Sequence, residues 1–267
     1  MLKTITLITI LSSVGVVPVD STAFADDFTV VFRISSETSG GPAPPPDQKA
    51  TEYHTDTKTR VTLGENFDRI EDFATGRVIT IDHATKRYYD NSPEELLTAM
   101  EEKLLAQFRE LEKIASDRKE LAEIKAMLTG KDASTVLVKH LPSTRKVAGY
   151  ECKGAVYTIP GAGTVTVWST TALPSRKGNA LTLSANPVLS ERFRKVAEEM
   201  RRSEEGFALS TDITIELRGR RGGMLTEAVE VRRKVIPPST FAPPAGYTKE
   251  SGLPPNLFGT PPTAKPK

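Results

Sequence analysis

The side chains able to do chemistry are few, and their spacing argues against a reaction. One cysteine and three histidines occur in 267 residues. Cys152 shares one side of an extended run with Tyr150 and Val156, so burial should raise its thiol pKa and leave it inert. Neither a cationic helix terminus nor a second ligand lies near it, as a reactive thiol or a zinc site would require. His54 and His83 have no metal-ligand neighbour at zinc spacing and read as polar residues at strand ends. The chain has no G-x-S-x-G elbow and no H-E-x-x-H pair. Ser116 with Lys119 and Ser143 with Lys146 match S-x-x-K, but no S-D-N or K-T-G accompanies them. Gly161-Ala162-Gly163 joins two strands and lacks a third glycine, so it is not a nucleotide loop. Adjacent Glu101 and Glu102 point apart on a helix. The reading is of a non-enzymatic protein with no metal and no cofactor.

The totals narrow the partners. Residues 1–25 have the parts of a secretory signal: Lys3, a largely apolar run over 5–17, and the small-x-small site Ala23-Phe24-Ala25. Cleavage near Ala25 predicts a periplasmic or secreted protein that does not span the membrane. With 36 basic and 34 acidic residues the net charge is +2, and interleaved signs do not steer a chain toward nucleic acid. A single cysteine means no internal disulfide, so an exported chain must be held by its core.

The elements that would position these residues are mostly strands. Phe28, Val30, Phe32 and Ile34 alternate with polar neighbours, and a proline-rich connector follows over 39–46. Short strands at 51–56, 58–64, 68–73, 77–82 and 87–90, separated by turn residues, form an antiparallel meander. At Ser92 the period changes to about 3.6, announced by an N-cap serine, Pro93, Glu94 and Glu95. One straight helix over 93–128 would run about 54 Å, so a break is expected at Ser116-Asp117. Strands resume at 135–141 and in a hairpin over 145–170, followed by a second helix near 188–203. A clean alternating strand over 207–217 turns back at an arginine-rich tip, and the return strand runs to Ile236.

Three fragments together resemble a family of exported bacterial proteins of unknown function: the hairpin VAGYECKGAVY with Trp168, the segment EEGFALSTDITI, and the close VIPPSTFAPPAGYTK. RVITIDHATKRYYD is similar to that family's hairpin ahead of its helical segment. The resemblance implies the lipoprotein-carrier fold of LolA, LolB and RseB, a curved open sheet with helices against its concave side.

Periodicity leads independently to the same fold class: mainly β with helical insertions (α+β), a strongly curved antiparallel sheet or unclosed half-barrel with helices on its concave face. About ten antiparallel strands exceed what a flat sheet tolerates. The expected division is a signal peptide at 1–25, one domain at 26–238 and a proline-rich, mostly disordered tail at 239–267. Two functions fit. In the first, the concave face holds a lipid, acyl chain or lipoprotein, lined by Tyr150, Val156, Phe207, Leu209 and Ile213, residues that any half-buried strand could also place in its core. In the second, an envelope scaffold or sensor has a filled concavity and meets protein partners through its proline-rich loop or tail.

Overall fold

The computed structural model describes residues 27–38, 47–63, 66–114, 119, 122, 136–160, 163–174, 206–217 and 220–253. The alternating runs become twelve strands: β1 (Phe28–Thr38), β2 (Gln48–His54), β3 (Lys58–Leu63), β4 (Phe67–Asp72), β5 (Arg77–Asp82), β6 (Arg87–Asn91), β7 (Leu137–Val147), β8 (Tyr150–Ile159), β9 (Gly163–Thr170), β10 (Phe207–Leu217), β11 (Arg220–Arg233) and β12 (Thr248–Glu250). They form one sheet in the order β12-β6-β5-β4-β3-β2-β1-β11-β10-β9-β8-β7. The sheet is open, with β12 and β7 at its ends. Two meanders, β1–β6 and β7–β11, meet along the β1–β11 ladder, and only β12 runs parallel to its neighbour.

Local chemistry explains the connections. Asp72 Oδ1 accepts from the amides of Ala74 and Thr75, and Asp82 Oδ1 accepts from those of Ala84 and Thr85. Each aspartate thus replaces backbone partners in its turn. The β7–β8 turn is tighter than the alternation predicts, because Ala148 and Gly149 both take positive φ (48° and 85°) and make a two-residue connection. The helix α1 (Pro93–Ile114) begins with a reciprocal capping box, Ser92 N to Glu95 Oε2 at 2.7 Å and Glu95 N to Ser92 Oγ at 3.2 Å. The break predicted at Ser116-Asp117 lies outside the described residues. The predicted second helix near 188–203 lies outside the described residues.

The main core gathers Phe28, Val30, Phe32 and Ile34 of β1 with Val165 and Val167 of β9, Ile213 of β10 and Phe108 of α1. Each such side chain contributes roughly 1.5–3 kcal/mol by leaving water. His54 belongs here too: it closes β2, as read from the sequence, but it is buried in the core. It is 2% exposed, stacked on Phe28 at 4.7 Å and edge-on to Phe207 at 5.0 Å. Its Nε2 pairs with Glu52 Oε2 at 3.0 Å, and its Nδ1 meets Thr59 Oγ at 3.3 Å.

A second cluster corrects the expected end of the domain. Residues 239–253 are not a loose tail; from β11 the chain crosses the sheet as a strap. Ile236 and Phe241 pack against Ile70 and Ile81, with Tyr53, Ile79, Tyr88 and Tyr247 around them. Arg60 Nη1 donates to the Thr240 carbonyl at 2.6 Å and Asn91 Nδ2 to the Gly252 carbonyl at 3.1 Å. The prolines that argued for a tail instead shape a bound path, entering a 3-10 turn over Pro238–Phe241 before β12 joins β6. Phe241→Ala should cost about 3–5 kcal/mol in urea unfolding, the range for emptying a buried aromatic site.

Acid should loosen the strap's far end. Burial pushes the Asp90 carboxyl up, but hydrogen bonds from Lys249 and Arg77 outweigh it and hold its pKa below the usual 3.8. A lowered folded pKa contributes stability above the unfolded value and loses it as pH falls through the folded one. Amide protection at Thr248–Glu250 should therefore drop relative to β1 below about pH 4, and Asp90→Asn should remove that extra pH dependence.

Candidate functional site

One polar contact fixes the shape of the β7–β11 wing. Arg145 Nη2 on β7 donates to Glu227 Oε2 on β11 at 2.9 Å. Four steps separate these strands in the sheet order, which in a flat sheet is about 19 Å at about 4.8 Å per step. No arginine and glutamate side chains bridge that gap, so the wing curls, and the face carrying this pair is the inner one. β7 and β11 are accordingly in direct contact.

Register shows what shares that face. Arg33 of β1 lies opposite Glu227, Glu227 opposite Ser210, Ser210 opposite Trp168 and Trp168 opposite Gly154. Directly paired residues project to the same side. Trp168 fits because Gly154 has no side chain: a Cβ there would stand 2.9 Å from the ring and 2.8 Å from Leu141 Cδ1. Arg145 Cζ lies 4.8 Å from the Trp168 ring centre, a cation held on an aromatic face. Arg33 Nη2 approaches the other Glu227 oxygen at 3.9 Å, and Lys49 lies opposite Arg33. Ser210 Oγ and Arg145 Nε are buried without a hydrogen-bond partner among the described residues. This row can hold an anion or a hydrogen-bonding guest, and it offers no nucleophile–base pair.

The sequence-predicted lining residues divide. Phe207, Leu209 and Ile213 are 8%, 0% and 3% exposed and belong to the main core. Tyr150 is partly buried and packs against it. Val156 pairs with Thr166, which pairs with Asp212, whereas Ile213 pairs with Val165. Val156 and Ile213 therefore face opposite sides of the sheet. A register shift between Ala208 and Ser210 also breaks the alternation of β10, which is why Leu209 and Ser210 are both buried. Cys152 is buried and free, and burial raises its pKa, as its place on the strand predicts.

Sequence reasoning missed Arg33, Arg145, Trp168 and Glu227 as a group. They come from four strands, and only the lone tryptophan and the small residue at Gly154 hinted at a shared place.

A second polar group lies under the strap. The buried Asp68 carboxylate binds Arg60 and receives His83 Nε2 at 3.0 Å, while His83 Nδ1 meets the Tyr247 hydroxyl at 2.9 Å. A carboxylate–imidazole–phenol chain has the form of a relay that activates a nucleophile. Here its two ends, Arg60 and Tyr247, both fasten the strap, so it acts as a clasp. Among the described residues, no group of three or more His, Cys, Asp or Glu is arranged for a metal ion, and no helix is long and apolar enough to cross a membrane.

If the Arg145–Glu227 pair holds the curl, Glu227→Gln should shift Trp168 emission to longer wavelength and increase its quenching by acrylamide. Stability should fall by about 1 kcal/mol or less, since both partners are partly exposed. An unchanged spectrum would remove the pair from this role.

Among solved structures, the chain is similar to PNGF-II at 13–14% identity with TM-scores of 0.39–0.40; 85% of this chain is covered, and it spans about a third of that protein's length. It is similar to MucB in the Pseudomonas aeruginosa MucA/MucB complex, at 10% identity and TM-score 0.38, covering 86% of this chain and 62% of the other. It is also similar to a LolA superfamily protein from Nitrosomonas europaea, at 10% identity and TM-score 0.29, covering 82% and 90%. No curated protein matches the sequence. A family model covers residues 60–247, from the third strand to the tyrosine of the clasp, and on that match the chain belongs to the DUF4412 family, a domain of unknown function.

Proposed function

We propose that this protein is a non-catalytic binding or scaffold module of the cell envelope, exported by the leader at 1–25 and engaging a protein partner on the inner face of its curled wing. The observation that supports this most is the division of the lining residues. Phe207, Leu209 and Ile213 are packed among their own core neighbours, so the apolar side of the sheet is already filled. The inner face of the β7–β11 wing instead presents Trp168, Arg145 and Glu227, with Arg33 of the adjoining β1 beside them, a mixed surface suited to polar recognition.

The carrier reading rests on Tyr150 and Val156, which are only partly buried. Val156 lies on the opposite side of the sheet from Ile213, so the five residues expected to line a groove do not face one common space. Native mass spectrometry of protein purified from its own host decides between the two. Bare polypeptide is the expected result, and a stoichiometric lipid adduct would overturn the scaffold reading in favour of the carrier.

A further inference from the structure

The cross-strand row Lys49–Arg33–Glu227 carries more positive charge than its own partners neutralise. Lys49 and Arg33 stand directly opposite each other on β2 and β1, an arrangement that like charges disfavour. Arg33 and Arg145 both reach Glu227, at 3.9 and 2.9 Å, so two guanidinium groups share one carboxylate. The Arg33 and Arg145 side chains remain 49% and 37% exposed, and Lys49 is exposed. The β7 strand that closes the curl adds Lys139, which lies opposite Val156 on the face that Gly154 and Trp168 share.

We infer that this row is a docking site for the carboxylates of an acidic, extended segment of a partner protein. The inference rests on the scaffold reading above and names the partner's chemistry. A guanidinium fork matches a carboxylate in two parallel hydrogen bonds, and such charge-assisted contacts are stronger than neutral ones. Glu227 supplies the internal example of a carboxylate on this face, with one hydrogen bond from Arg145 and the Arg33 guanidinium at 3.9 Å. Alternate side chains of an extended segment lie about 7 Å apart on one face, a spacing that the flexible ends of Lys49, Arg33 and Arg145 can follow.

Trp168 is the only tryptophan and carries Arg145 on its ring, so its emission reads the row directly. The full chain is titrated with a synthetic peptide of alternating Glu and Thr, with its Gln-Thr counterpart, and with phosphatidylglycerol vesicles. The Glu peptide should produce a saturable change in Trp168 emission that weakens with salt, and the Gln peptide should produce none. The exposed double variant R33Q/K49Q should bind the Glu peptide at least about tenfold more weakly, while its circular dichroism and melting stay those of the parent. No saturable change with the Glu peptide, equal binding by R33Q/K49Q, or an equal response to the vesicles would each overturn the inference. A lipid adduct in the native mass spectrum would sink the scaffold reading by itself, so the two failures are distinguishable.

Discussion

A sheet of this width cannot be flat, and the bridge between Arg145 and Glu227 shows where its curvature is spent. Twist accumulates from strand to strand with a fixed hand, and twelve strands carry it beyond what an open sheet holds without curling. The curl converts five neighbouring strands into a surface with an inside. That inside decides which residues meet: a guanidinium from the sheet's last strand, a tryptophan two strands in, and a carboxylate from the strand that joins the two wings. The glycine at 154 is the matching concession, since any side chain there would meet the indole.

The same width leaves a second face to cover on the other wing. Its apolar residues, Ile70 and Ile81 among them, are covered by the chain's own end. Polar groups fasten that strap at several points: Arg60 and His83 around the buried Asp68, and Asp90 between Lys249 and Arg77. Among the described residues the interior thus consists of two clusters. One is built on β1 and its neighbours and encloses a buried histidine–glutamate pair, and the other depends on a segment that arrives last in the sequence.

Much of the scaffold is legible in the sequence, because a period of two and the turn residues record it residue by residue. Phe28 to Ile34 announce a half-buried strand, and Ser92 with Glu95 announces the helix start. What is not legible arises where the period fails or the contact is remote. The bulge beside Leu209 buries two successive residues where alternation allows one. The Ala148-Gly149 turn lacks the asparagine or aspartate that usually marks positive φ. His54 looks polar, yet two phenylalanines distant in sequence enclose it. The strap reads as a tail because Pro237, Pro238, Pro243 and Pro244 resemble a linker, and only the hydrogen bond from His83 to Tyr247, 164 residues apart, shows that it is fastened. The site row is remote in the same way, since register across six strands assembles it and no local motif records it.

The central claim is that the β7–β11 wing curls with Arg145, Trp168 and Glu227 on its inner face. Nuclear Overhauser contacts in the isotope-labelled protein test it most directly. The account predicts cross-peaks between the Arg145 side chain and both the Glu227 methylenes and the Trp168 ring, alongside the ladder peaks of β8 with β9. Intact β8–β9 ladder peaks with no contact between β7 and β11 would mean that the wing is open, and would contradict it.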